Sequence, residues 1–209
     1  ASVCSLMASP LTRGLFARVI IESMDCPTGS RFTGETEGLV SAAFAGCTGT
    51  GPQAAACLRS RPVEALIQSS TYVMVSRYDY RRTTSQILVD GYTMPEPARE
   101  IVRKGKAQPV PMMIGNNSAE GLVFVPFFYN AETLRANIEK IYGKANADRM
   151  YAQYPVGLTG TLGQAATVFA DHFFECPIRT LARNKAASQS NPVYRYLYNY
   201  VPTISGFPV

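Results

Sequence analysis

Glu120 is the residue whose surroundings promise the most chemistry. It stands in the polar loop Asn116-Asn117-Ser118-Ala119-Glu120-Gly121, which comes after the apolar run Pro109 to Ile114 and the breaker Gly115. In open α/β sheets, reacting groups gather at the carboxyl ends of strands, so a carboxylate there is a candidate catalytic group. A helix-start carboxylate that satisfies free amides ahead of Leu122 to Phe128 is the other reading. The only histidine, His172, has Cys176 four residues later, on the same helical face if no break intervenes. A zinc site needs two more such ligands, and the chain holds no second pair, so a structural histidine and no metal are expected. Cys26, Glu120 and His172 also come in the order nucleophile, acid, base. Cys26 precedes Pro27 without the glycine-flanked turn of a nucleophile elbow, and the thiol triad is set aside on that ground.

Cys47 and Cys57 lie ten residues apart across a Gly/Thr-rich loop. Joining them would add about 2–3 kcal/mol through loop entropy, and two free thiols are the alternative that spacing leaves open. Tyr72, Tyr78 and Tyr80 interleave with Arg77, Arg81 and Arg82, a combination that can stack on bases. The stretch is short and has no wider basic field, so a surface loop is expected and no nucleic-acid partner. Asn116-Asn117-Ser118 has the N-glycosylation pattern, but it abuts the end of a buried strand and is expected to stay unmodified.

The elements that must position these groups read as helices alternating with short apolar strands. Helices are expected from the start to Met7, from Pro10 to Ala17 with Ser9 as N-cap, and over Thr33 to Ala45. Further helices fit Pro52 to Ser60, Pro62 to Ser69, Pro97 to Lys104, Ala131 to Tyr142, Ala145 to Tyr154, and Leu162 to Ala187 with a break at Pro177. Strands are expected at Val19 to Ile21, Pro109 to Ile114 and Val193 to Val201, with Gly29 in a loop and Val89-Asp90-Gly91 in a turn. In the last strand Tyr194, Tyr196, Tyr198 and Tyr200 share one face. Strands separated by long helical stretches pair in parallel through crossovers, so the fold class is α/β, with much of the chain in helices outside the sheet.

The 209 residues suffice for one large domain or two small ones, and 46% hydrophobic against 17% charged residues excludes a disordered chain. The apolar runs are too short for a membrane span. The start, Ala1-Ser2-Val3-Cys4-Ser5-Leu6-Met7, lacks the basic segment of a signal peptide. A net charge of +5 with acids and bases interspersed forces no polyanionic partner. Five cysteines leave at least one unpaired within the chain.

Several stretches together resemble the type-B carboxylesterase/cholinesterase family of α/β-hydrolases. Ala1-Ser2-Val3 and then Ser9-Pro10-Leu11-Thr12-Arg13-Gly14-Leu15-Phe16-Ala17-Arg18-Val19-Ile20-Ile21-Glu22-Ser23 are similar to the stretch just after that family's serine-nucleophile elbow. Gly46-Cys47 with Cys57-Leu58-Arg59 and Pro62 resembles its short disulfide loop. Val89-Asp90-Gly91, Pro95, Gly105, Pro111, Ile114-Gly115, Asn117 and Glu120-Gly121 resemble its acid-bearing segment. Asp171 to Pro177 and Val193 to Tyr200 resemble the two stretches before its catalytic histidine.

The resemblance implies a mostly parallel α/β-hydrolase sheet with long helical insertions, residues 1–209 forming the C-terminal-side portion of one catalytic domain. It implies Glu120 as the triad's acid, Phe124 as an acyl-pocket aromatic, Ser23 as a serine that supports the acid through hydrogen bonds, and a Cys47–Cys57 disulfide. Cys26-Pro27 resembles a buried unpaired cysteine position, and Cys4 in its apolar helical stretch reads as a buried free thiol. Cys176 is left for a partner beyond Val209. The family's Gly-x-Ser-x-Gly and His-Gly loop are not in the sequence, and His172 aligns outside the catalytic-histidine loop. The implied function is hydrolysis of a small-molecule carboxylic ester through an acyl-serine intermediate, without cofactor, with serine and histidine supplied by the remainder of the esterase domain. A chain holding only the acid is expected to be inactive alone, and a non-catalytic binding or adhesion relative is the alternative. The implied disulfide argues for a secreted or periplasmic protein, with any signal peptide upstream of residue 1. The strands at Val19, Pro111 and Tyr194 are expected to be neighbours, and the chain is expected to fold unstably without covering partners.

Overall fold

The computed structural model describes residues 1–76, 87–128, 131–157 and 160–200. Arg77, Tyr78, Tyr80, Arg81, Arg82 and Val201 lie outside them. Three short β-rich segments build the main sheet: β1 (Val19–Glu22), β4 (Met112–Asn117) and β5 (Val193–Tyr198) run parallel in the order β1-β4-β5. Register is set by burial. Ile21 pairs with Ile114, and both face the core at 1% and 0% exposure. The alternate residues Ile20, Met113 and Tyr194 form one row across the three strands and stay 53%, 43% and 61% exposed. One face of this parallel sheet is therefore packed and the other carries an uncovered apolar row, whereas parallel sheets are usually covered on both faces.

On the packed face lie helices α1 (Ser2–Ala8) against β1 and α10 (Cys176–Ser188) against β4 and β5, with α5 (Ala98–Arg103) between them. Cys4, Met7, Val102, Ile178 and Leu181 interlock there with Met112 and Ile114 in one continuous core. Helix α6 (Gly121–Phe128) leaves β4 and packs on α9 (Gly160–Ala170), beside α7 (Ala131–Tyr142) and α8 (Lys144–Ala152). A second small parallel pair joins β2 (Thr28–Ser30) and β3 (Ile87–Val89), flanked by α2 (Arg31–Phe44), which also packs on α4 (Val63–Ser76); α3 (Gly51–Ser60) lies between α2 and α4 in sequence. Among the described residues no helix is long and apolar enough to cross a membrane.

Several expectations are corrected. The helix over Pro10 to Ala17 is only a 3-10 turn, Pro10–Thr12. Thr12 Oγ1 donates to the Leu6 and Ser9 carbonyls, and Gly14 turns left-handed at φ 78°, so local side-chain bonding replaces helix propagation. Gly29 is in strand β2, not a loop, because β3 offers its backbone a ladder. Strand β4 continues to Asn117, past the expected break at Gly115, because β5 pairs with it as far as Tyr198. Pro177 does not break the helix. A π-helical turn over Asp171–Glu175 precedes it, and the Cys176 amide donates to the Asp171 carbonyl five residues back. Pro177 follows directly on that turn at the start of α10, and the helical path runs on through it to Ser188.

Cys4 is no free thiol. It is bonded to Cys26, with Cα atoms 5.3 Å apart and both side chains fully buried. The pairing also removes Cys26 from the unpaired position that the resemblance implied, and it abolishes the thiol triad, since a disulfide sulfur carries no thiolate. Cys47 and Cys57 form a second disulfide, with Cα atoms 5.8 Å apart. Cys176 is exposed and unpaired among the described residues.

Candidate functional site

Glu120 lies just past the carboxyl end of β4, and three local features hold it there. The Asn117 amide, freed where the ladder ends, donates to Glu120 Oε2 at 2.9 Å. The Ser23 hydroxyl, just past the end of neighbouring β1, donates to the same oxygen at 3.0 Å. The Ser23 amide in turn donates to the Gly115 carbonyl at 2.8 Å, tying the two strand ends together. Both donors converge on Oε2. Among the described residues Oε1 has no hydrogen-bond partner, and it is not sealed from solvent. The carboxylate is thus anchored through one oxygen and presents the other.

Two glycines allow this placement. A Cβ on Gly115 would collide with the Tyr196 carbonyl and ring on β5, so only glycine lets β5 and its tyrosine lie over the strand end. The register puts Glu22, Gly115 and Tyr196 in one row beside Glu120. Burial, then the Glu22 and Glu120 carboxylates, push the Tyr196 hydroxyl's pKa up. A Cβ on Gly121 would collide with the Ala166 backbone, so the residue after Glu120 is where α6 docks on α9.

Phe124 lies one turn into α6. Its ring stacks on Phe169 at 5.7 Å between centroids and meets Phe174 at 5.5 Å. The structure therefore brings Glu120 and Ser23 together, and places Phe124 nearby in chain but within an aromatic cluster. That cluster was missed because Phe124 and Phe169 share no local pattern. The Cys47–Cys57 disulfide joins the end of α2 to α3.

His172 sits in the π-helical turn. Its ring meets Phe173 edge-on at 4.7 Å, and its Nδ1 lies 3.5 Å from the Tyr142 hydroxyl. Burial lowers its pKa. The hydrogen bonds of Glu120 run to Ser23 and Asn117, not to this imidazole. His172 lines a cavity of about 330 Å³ with Asp171, Tyr154 and Cys176. There the Tyr154 hydroxyl donates to Asp171 Oδ2 at 2.8 Å. Burial and this bond to the carboxylate push the Tyr154 pKa up to about 12. A folded-state pKa above the unfolded value near 10 means the stabilisation is full below about pH 10 and lost as pH rises toward 12. Unfolding followed from pH 9 to 12 should show a steeper loss of stability for the natural protein than for Tyr154→Phe; identical slopes would contradict this.

Asn116 is 2% exposed, and its side-chain Nδ2 donates to the Asn117 carbonyl at 3.0 Å. A glycan has no room there, so the mass of the peptide holding Asn116 should be that of the unmodified sequence even after expression in a glycosylating host. An added hexosamine mass at this residue would refute the placement. Among the described residues no group of three His, Cys, Asp or Glu side chains is arranged to hold a metal ion.

The parallel sheet ends at an anchored carboxylate with a tightly docked helix after it, and comparison with known proteins identifies the fold. The chain matches the carboxylesterase family over residues 1–208 and belongs to that family. It is 28% identical over 205 residues to para-nitrobenzyl esterase of Bacillus subtilis (strain 168), covering 96% of this chain and 40% of that protein. It is 28% identical over 233 residues to liver carboxylesterase 1 of Oryctolagus cuniculus, covering 98% of this chain and 41% of that one. It is also 25% identical over 211 residues to the crystal protein of Dictyostelium discoideum, covering 96% and 38%. A solved structure of PNB esterase superposes with a TM-score of 0.75 at 23% identity, over 96% of this chain and 42% of that chain, and the shared fold is the α/β-hydrolase one. The chain thus spans about two fifths of the length of these relatives.

Proposed function

We propose that residues 1–209 are the C-terminal-side portion of a single carboxylesterase catalytic domain and supply the acid of its Ser-Glu-His triad. The observation that carries this reading is the asymmetry of Glu120: Oε2 is fixed by Ser23 and Asn117, and Oε1 is presented. A triad acid needs that arrangement. It must be rigid, so that it orients the imidazole, and it must keep one lone-pair face for the imidazole N–H. Its charge stabilises the imidazolium that forms when the histidine takes the serine proton. The ester is cleaved through an acyl-serine that water then hydrolyses. The histidine comes from outside these residues, since the only one here lies in the π-helical turn, and so does the serine, since no Gly-x-Ser-x-Gly elbow stands in the sequence. No organic cofactor or metal enters this chemistry.

The uncovered row Ile20, Met113 and Tyr194 and the outer edge of β1, unpaired among the described residues, support the remainder of the esterase domain as the partner of this portion. Phe124, one turn beyond the acid, is assigned to the acyl side of the substrate pocket through the aromatic wall it forms with Phe169 and Phe174. Two disulfides favour an oxidising compartment, hence a secreted or periplasmic protein. The test is to incubate the intact protein with p-nitrophenyl acetate and, separately, with a fluorophosphonate that labels nucleophilic serines. The esterase reading expects hydrolysis that the label abolishes, with the added mass on a single serine. Absence of both would favour a binding or adhesion protein on the same fold.

A further inference from the structure

The turn that carries Ser23 has an unfavourable backbone. Ser23 has φ 52°, the one non-glycine residue with positive φ among those described. A side chain in that region is strained and persists only where its surroundings over-determine it. The restraints are all close in sequence. The Ser23 amide is held by the Gly115 carbonyl at 2.8 Å. Two residues on, Asp25 is 2% exposed, and its Oδ2 accepts from Arg99 Nε on α5. Three residues on, Cys26 is bonded to Cys4 on α1, and both are fully buried. The turn leaving β1 is therefore pinned to two helices within four residues.

We propose that the Cys4–Cys26 disulfide, with the Asp25–Arg99 ion pair, is a clamp that holds Ser23 in its left-handed conformation and so keeps its hydroxyl on Glu120. The disulfide is a positioning element of the acid. It differs in this from Cys47–Cys57, which closes a loop between α2 and α3. Released from α1, the chain after Ser23 relaxes toward the ordinary β or right-handed region. That rotation carries Oγ off Glu120 and leaves the Asn117 amide as the carboxylate's only anchor. The inference rests on Glu120 being the triad acid, but the clamp itself is a statement about Ser23.

The test compares Cys4→Ala/Cys26→Ala with Cys47→Ala/Cys57→Ala in the intact protein. Opening the clamp should lower kcat for p-nitrophenyl acetate by about 10- to 100-fold, the cost of an acid displaced by a fraction of an ångström to an ångström, with KM little changed. Amide exchange at Ser23 and Asn117 should quicken at least about tenfold, while Ile114 in the strand stays protected. Opening Cys47–Cys57 should leave kcat and both amides as they were. Ser23→Ala should reproduce the kcat loss, and adding Cys4→Ala/Cys26→Ala to it should cost little more, because both act through one hydroxyl. A full second loss in that background would make the disulfide merely structural and overturn the proposal, as would unchanged exchange at Ser23. Should the double variant not fold, Arg99→Gln opens the other arm, and unchanged protection of Ser23 there contradicts the clamp. If the natural protein hydrolyses no ester, the triad reading fails, and exchange at Ser23 and Asn117 decides the clamp alone.

Discussion

Glu120→Gln in the intact protein should lower kcat for a simple aryl ester by about 10³- to 10⁴-fold, the loss seen when a triad's carboxylate becomes an amide. The substitution is nearly isosteric, and the Gln carbonyl oxygen can still accept from Ser23 and the Asn117 amide, which converge on one oxygen in the natural protein. The group then presented in place of Oε1 is an NH₂. It donates where the imidazole N–H needs an acceptor, so the histidine is driven into the wrong tautomer and its developing charge goes uncompensated. Because the anchoring bonds survive, the fold should too, and the melting temperature should stay within about 2 °C, roughly 0.5–1 kcal/mol for a domain of this size. Activity within tenfold of the natural protein would remove Glu120 from the mechanism. Loss of activity together with loss of folding would show that the carboxylate is structural.

Gly121→Ala should have the largest effect on stability of any single added methyl group near the site. The added Cβ would overlap the Ala166 carbonyl oxygen and the carbon atoms beside it, all of them backbone of α9. No flexible side chain is there to yield, so α6 and α9 must move apart along the contact that buries Val125, Ala165 and Ala166. Overpacking costs about 1–3 kcal/mol where side chains can adjust, and a backbone collision belongs at or above the top of that range. For a protein of this size about 3 kcal/mol lowers the melting temperature by roughly 6–12 °C. Activity should fall as well, because Gly121 is joined to Glu120 and its displacement moves the acid. A shift below about 2 °C would mean that the helices do not meet as closely as the structure places them.

How far this was legible from residues differs from element to element. The strand at Val19 carries its signal as a β-branched run, that at Val193 as alternating tyrosines, and the helix at Ala131–Tyr142 as apolar positions spaced by one helical turn; each begins where the pattern puts it, although the strand from Val193 ends at Tyr198 rather than reaching Val201. The end of β4 does not. Asn116 and Asn117 are poor strand formers and become strand only because β5 supplies a partner as far as Tyr198. Gly29 is likewise a breaker by type and a strand residue by pairing. The Cys4–Cys26 bond depends on α1 packing against the end of β1, a tertiary fact that no cysteine spacing records. The same holds for the meeting of Ser23 and Glu120, which stand 97 residues apart. Resemblance to a family pointed to both residues, whereas composition and periodicity alone left Glu120 open to a helix-start reading.

In the proposed triad the free oxygen of Glu120 is kept for a histidine outside these residues. A crystal structure of the intact protein tests it most directly, through the distance from Glu120 Oε1 to the nearest imidazole nitrogen. A histidine other than His172 is expected at about 2.6–3.0 Å, with its far nitrogen directed at a serine hydroxyl. A Glu120 Oε1 that instead pairs with a lysine or arginine, or faces solvent with no imidazole within about 4 Å, would contradict it.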